Sequence, residues 1–324
     1  MQGLMTVFYK ELADHFTSWR GIILFITVLL VSVFATLGPS GAIESLRQQL
    51  ETPAQYGFGR FVFLFLFTTS GQDMPSFIWF ITRFLVPIVG IVLGLDAINS
   101  EKNSGTLSRL LAQPIYRDAV INGKFLAGVV TIAIMLTTTV LIVSAIGLAV
   151  LGVAPSSEEI ARLLLFWGTS ILYGAFWLGL AMLFSVYFRP VAASAICSLG
   201  IWMFFSFFMS MAAVSTANIM APMSQTPTTA ELVKNVGVQI TASRISPIML
   251  FGEAAAVLLA PGARTAREIL QLYTASGALW MPGPLSLGQS LLTIWPHLAT
   301  IGGITALLFA ISYIRFMREE IRST

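Results

Sequence analysis

The sequence predicts an all-α integral membrane protein with six transmembrane helices, and three observations predict it. Of 324 residues, 56% are hydrophobic and only 10% charged, against about 25% charged in a soluble domain. The mean hydropathy of +0.84 describes a chain that cannot cover its surface with polar groups in water. Apolar stretches approaching or exceeding the roughly 20 residues a helix needs to cross the hydrocarbon core recur at 21–37, 77–95, 125–150, 163–188, 191–214 and 290–316.

The segments between these stretches have their own patterns. Over 4–19, Leu4 or Met5, Phe8, Leu12, Phe16 and Trp19 recur at intervals of three and four, while Lys10, Glu11, Asp14 and Ser18 fall elsewhere. Such a helix lies in the membrane–water interface, with Trp19 and Arg20 as anchor and snorkelling charge. About twenty structured residues precede the first span, which is too long a leader for a cleaved signal peptide. The run 61–69 is too short to span; it caps the outer end of the bundle or dips into the interface. The outer segment 215–289 holds Pro222, Pro227, Pro247, Pro261, Pro282 and Pro284, so it forms short helices and turns over the outer mouth. Within it, 248–260 contains Glu253 and reads as an external helix.

Short basic loops mark the cytoplasm. Lys10, Arg20, Lys102, Arg109, Arg117, Lys124, Arg189, Arg315, Arg318 and Arg322 fall on one side, against Arg47, Arg60 and Arg162 in the shorter loops of the other. Both termini are therefore expected in the cytoplasm, and the chain in the cell membrane.

Several chemistries find no residues to perform them. The net charge of +3 is scattered at loop ends, without the basic stripe and aromatics of a nucleic-acid surface. A single cysteine, Cys197, rules out an internal disulfide. His15 and His297 fall in segments expected to be distant, so no metal site is expected. No G-x-x-x-x-G-K-[S/T] occurs; "NGKFLAG" lacks the preceding loop and the following hydroxyl. The chain is thus not expected to be an enzyme or to hold a cofactor. Asp96 and Arg83 read as boundary residues that reach water. His297, just after Pro296, is the one tentative pathway residue; its imidazole otherwise satisfies a carbonyl freed by the proline. "GLDAINS", "LYGAFWLGLA" and "IGGITALLFA" supply small residues for close helix approach.

The connector 96–124, "DAINSEKNSGTLSRLLAQPIYRDAVINGK", is charged where its neighbours are apolar. The second helix continues past Asp96 and stops near Asn103-Ser104-Gly105. A short amphipathic helix from Thr106 to Gln113 exposes Leu107, Leu110 and Leu111 on one side, and Pro114 ends it. Three leucines are too few to anchor in lipid; flanked by Glu101, Arg109 and Arg117, they suit a grip for a second protein.

The spacing of Asp96, Ile98, Glu101, Gly105, Thr106, Leu107, Leu110, Leu111, Pro114, Arg117, Gly123 and Lys124 resembles the cytoplasmic loop of the type-2 permeases of ATP-binding-cassette (ABC) exporters. "FYKEL", the six spans and the tail "FMREEIRS" are similar too. "ISPIMLFGEAAAVLLAP" resembles the subgroup linked to multicopper enzyme maturation, nitrous-oxide reductase included. The resemblance implies a permease that pairs with a separate ABC ATPase subunit, which binds the ATP and Mg. A second permease copy, identical or homologous, completes the pathway. It implies that the loop helix is the coupling helix, with Glu101 and the Gly105–Leu107 segment near the contact, and that the N-terminal helix is an elbow. An outer segment longer than in the smallest members weakens any inference about cargo. Competing readings are an ion-coupled carrier or channel, for which His297 is the candidate, and a membrane enzyme or scaffold without transport.

Overall fold

A computed structural model describes residues 2–37, 43, 61–68, 76–106, 115–152, 154–224, 226, 228–261 and 284–318. Every regular element among them is helical, and six helices are long and apolar enough to cross a membrane. In chain order the helices are α1 (Gln2–Thr17), α2 (Trp19–Leu37), α3 (Val62–Thr68), α4 (Phe77–Asn103), α5 (Arg117–Leu151), α6 (Ser157–Tyr187), α7 (Val191–Met220), α8 (Thr229–Ser243), α9 (Pro247–Leu259) and α10 (Leu287–Arg318). The six candidates are α2, α4, α5, α6, α7 and α10. Most outrun their apolar stretches, because a helix continues into its polar ends while hydropathy marks only the greasy part.

The centre of the bundle is α6. Its start is fixed by a capping box between Ser156 and Glu159, which satisfies two N–H groups that the first helical turn would leave bare. It packs chiefly against α4 and α10, and Tyr173, Trp177 and Ala181 are wholly buried. The approach to α4 depends on glycine: a Cβ on Gly90 would stand 2.8 Å from the Gly174 carbonyl oxygen, and one on Gly94 2.7 Å from that of Leu178. Backbones this close leave no room for a side chain. The glycines of "IGGITALLFA" differ, since nothing lies within 4 Å of a Cβ on Gly303.

Helix α4 carries a π-helical turn, Ile81–Leu85, with a cause in the sequence. Pro87 has no N–H to give the Arg83 carbonyl four residues back. That carbonyl instead accepts from the Trp202 indole at 2.7 Å, and the neighbouring Thr82 carbonyl accepts from the Tyr173 hydroxyl at 2.8 Å. A second π turn, Phe204–Phe208, interrupts α7.

Two expectations need correction. The segment read as an external helix is α9, and it is core: Phe251, Ala254, Ala255 and Leu258 are fully buried against α6 and α10. With α8 it makes a pair bent by 108°, in the manner of a broken span or a re-entrant hairpin. Glu253 looked incompatible with an enclosed helix because a lone buried carboxylate is costly, but here it is paired. In α1 the face turned to the protein is set by Val7 and Glu11, while Met5 points outward; Trp19 belongs to α2 and is 75% exposed. Helix α3 sits at the end of the bundle opposite the connector, where the N–H of Phe63 donates to Glu159 Oε1 at 2.9 Å, and Phe63, Leu64, Leu66 and Phe67 are buried in the main core.

A second, smaller core gathers at the connector end. Val7, Ile98, Val120, Ile121, Met182, Val186 and Phe316 pack together there, joining α1 to the ends of four long helices.

Candidate functional site

At the connector end, α4 passes through a turn after Gly94 and resumes as a short helical leg, Asn99–Asn103. Gly105 stops it with φ of 67°, a left-handed conformation that glycine adopts without strain. The leg is held from one side by the end of α6. The Ser185 hydroxyl oxygen accepts from the N–H of Ile98 at 2.9 Å and of Asn99 at 3.2 Å. Lys102 Nζ donates to the Val186 carbonyl, and Asn103 Nδ2 to that of Arg189, both at 2.9 Å.

From the other side it is held by charge. Lys124, in the first turns of α5, has a side chain only 5% exposed and places Nζ 2.8 Å from Glu11 Oε1 and 2.9 Å from Glu101 Oε1. Lys10 adds contacts to Glu11 at 2.9 Å and Glu101 at 3.8 Å. Beside Lys124, a Cβ on Gly123 would meet Val7 Cγ1 at 2.9 Å and the Leu4 carbonyl at 3.2 Å, so glycine there seats α1. Arg20 Nη1 reaches Asp96 Oδ2 at 2.6 Å and ties α2 to the same corner. These groups border a cavity of about 670 Å³ that also contains His15.

Burial opposes ionisation of Glu11, but Lys124 and Lys10 outweigh it and hold its carboxyl below the ordinary range. Burial holds the His15 imidazole below its usual value, against the pull of Glu11. Lys10 is raised: burial works against its charge, and Glu11, Glu101 and Asp14 prevail.

The predicted site residues divide accordingly. Glu101 is an internal tie, its Oε1 bonded to Lys124 and its buried Oε2 without a partner. Gly105 and Thr106 are exposed at the tip of the leg, where the Thr106 hydroxyl meets that of Ser104 at 2.8 Å. Arg117 opens α5. Leu107, Leu110, Leu111 and Pro114 lie outside the described residues. The link between Glu11 and Lys124 escaped the sequence reading because the partners are far apart in the chain; the only signal was that "FYKEL" and "NGK" both belonged to the family pattern.

His297 lies far from this corner, in α10. Its Nε2 stands 2.8 Å from Glu253 Oε2, which also takes Arg244 Nη2 at 2.8 Å. The imidazole therefore pairs with a carboxylate on α9 and not with a carbonyl freed by Pro296. Glu253 Oε1 and His297 Nδ1 are buried without partners. The triad fastens the α8–α9 bend to α10.

Comparison with known proteins agrees with this architecture. A family model described as "ABC-2 family transporter protein" matches residues 5–321. A probable ABC transporter permease protein NosY of Pseudomonas aeruginosa is 30% identical over 211 residues, covering 63% of this chain and 67% of that protein. A protein of the same description from Stutzerimonas stutzeri is 31% identical over 131 residues, covering 39% of this chain and 45% of that one. With its family model matched over nearly its whole length, the chain belongs to the ABC-2 family of transporter proteins.

Proposed function

We propose that this permease, the transmembrane subunit of an ABC transporter, works as an exporter driven by a separate ATPase seated on the connector end. The observation that carries the proposal is the clamping of the leg Asn99–Asn103 between Lys124 and Ser185. A push delivered at Gly105 and Thr106 would meet no slack. It would pass to α4 by continuity, to α5 and α1 through Lys124, and to α6 through Ser185. Closure of a nucleotide-bound partner would thereby tilt several spans together. ATP and Mg belong to that partner, and this chain needs no cofactor of its own. A second permease, the same chain or a homologue, completes the pathway in a cell membrane, with both termini cytoplasmic. The broad exposed apolar faces of α2 and α7, among them Leu30, Phe34, Ile196 and Met211, suit contact with lipid and with that second copy. The likeness of "ISPIMLFGEAAAVLLAP" to permeases for multicopper enzyme maturation supports a role near that subgroup.

The coupling contact is tested by replacing Leu110 and Leu111 together with Asp. Two charges in place of the leucines proposed to meet the ATPase are expected to abolish co-purification with it while insertion and monodispersity stay normal. Undiminished co-purification would place the contact elsewhere.

The buried His297–Glu253 pair favours one second reading, an ion-coupled carrier, because paired ionisable groups inside a bundle mark proton paths. The two readings separate on His297→Gln, which keeps a hydrogen bond to Glu253 without a titrating ring. A structural triad predicts intact transport in His297→Gln. It also predicts a loss of about 1–3 kcal/mol in His297→Leu, read as a lower melting temperature. Transport abolished in both, with His297→Gln as stable as the parent, would favour the carrier.

A further inference from the structure

Toward the other end of the bundle, a cavity of about 600 Å³ opens between α4, α7 and the α8–α9 bend. Its size falls in the range of small-molecule pockets, about 300–1,000 Å³. The two π turns meet at its wall. Arg83, in the π turn of α4, directs Nη1 to the carbonyl of Ser206, in the π turn of α7. Single π turns inside α-helices often accompany functional sites, because they shift side chains and carbonyls out of register.

Arg83 is the one charged group among the described lining residues. Besides the Ser206 carbonyl it faces the Trp79 ring, with 5.5 Å from Cζ to the ring centroid. Neither partner carries a formal charge, so the cavity keeps a positive field. A guanidinium has five N–H donors in a planar fork, and one carbonyl and one ring leave that fork largely unspent. Ser206, on α7, and Ser246, at the start of α9, also line the cavity, and their hydroxyls are buried without a hydrogen-bond partner. Most of the remaining surface is greasy, with Phe205, Met209, Ile248 and Met249; methionine adapts its shape to varied apolar chains.

We infer that this cavity binds an anionic amphiphile: a carboxylate or phosphate head on Arg83, with an apolar chain along the methionines. A fork of donors matches such a head in two places at once, while the apolar walls give an inorganic anion no further contact. The inference does not depend on the ATPase, so its failure would leave the permease function untouched.

The test uses the full chain in phosphatidylcholine nanodiscs, with dodecyl phosphate titrated by calorimetry and empty nanodiscs subtracted. Saturable binding is expected, with dodecanol failing to bind and excess inorganic phosphate failing to displace. Arg83→Gln is expected to weaken binding about tenfold or more, and Arg83→Lys to recover part of it. Met249→Trp narrows the cavity from α9 with Arg83 intact, and is expected to weaken binding as well. Should Arg83→Gln not fold, the ligand series on the parent and Met249→Trp still decide. Absence of saturable binding, equal binding by Arg83→Gln, or dodecanol binding as tightly as the phosphate each overturns the inference. Displacement by inorganic phosphate would make the site one for free anions and overturns the amphiphile.

Discussion

Arg162→Ala is expected to cost about 3–5 kcal/mol, the penalty for breaking a buried charge network by removing one member, and to leave little folded protein. The Arg162 side chain is wholly buried. Its Nη2 donates to the Leu285 carbonyl at 2.6 Å and to Glu158 Oε1 at 2.9 Å; Nη1 donates to Ser290 Oγ at 3.1 Å and the Leu258 carbonyl at 3.4 Å. The guanidinium also lies over the Phe61 ring at 5.4 Å. One side chain thus fastens α6 to the end of α9 and to the start of α10. Alanine would leave two buried carbonyls unmet and a cavity the size of the guanidinium. Lysine should recover only a minority of the loss, because an ammonium on a flexible stem cannot replace a planar fork bonded on several sides. Size-exclusion profiles of heated detergent extracts report this directly. An Arg162→Ala protein melting with the parent would show that the network is not what joins these helices.

That same residue shows where sequence reading stops. In the sequence Arg162 reads as one of the charges that orient the chain, since a basic residue near the end of an apolar run fits that role. Apart from Glu158, one helical turn before it, its partners lie about a hundred residues away or more and share no spacing rule with it. The six spans were legible because each is a local property of twenty-odd residues. The stop at Gly105 was legible because a glycine after a polar helical turn is a local signal. The burial of α9 was hidden: it is short, and its glutamate is compensated only by Arg244 and His297, which no periodicity connects to it. Arg83 looked like a boundary charge for the same reason. The π turn that aims it follows from Pro87, but its freed carbonyls needed Trp202 and Tyr173 from other helices. At the connector end, the pattern points to Glu101 as part of a grip, while the structure shows its Oε1 paired with Lys124, a partner 23 residues on that no local pattern announces.

Lys124→Met should produce the second large effect, and it separates strut from grip. Methionine keeps the length of the side chain and removes its charge, leaving Glu11 and Glu101, with side chains 12% and 13% exposed, facing each other with only the more exposed Lys10 between them. A loss of about 3 kcal/mol, the low end of the range for breaking a buried charge network, follows because Lys10 compensates the two carboxylates only in part. The triple variant Glu11→Gln, Glu101→Gln, Lys124→Met should regain most of it, because a buried ionic cluster replaced as a whole by neutral groups is often near neutral in stability. The pH dependence has a definite sign. Glu11, with its folded pKa depressed, adds stability that is present above its unfolded value of about 4.3 and lost as pH falls through the folded value. His15, also depressed, adds stability that is full above about 6.5 and lost on acidification. Lys10, raised, contributes below about 10.4, and its contribution is lost as pH rises through the folded value. The parent should therefore be most stable from neutral to mildly alkaline pH. In Lys124→Met the acid-side loss from Glu11 should shrink, since without its nearest cation the folded carboxyl moves back toward its unfolded value and the span over which stability falls with pH narrows. The triple variant restores stability without restoring the ionic link between Glu101 and α5, so it should bind the ATPase yet turn over less ATP in response to cargo. Normal cargo-stimulated hydrolysis in that variant would mean that force reaches the spans by another route.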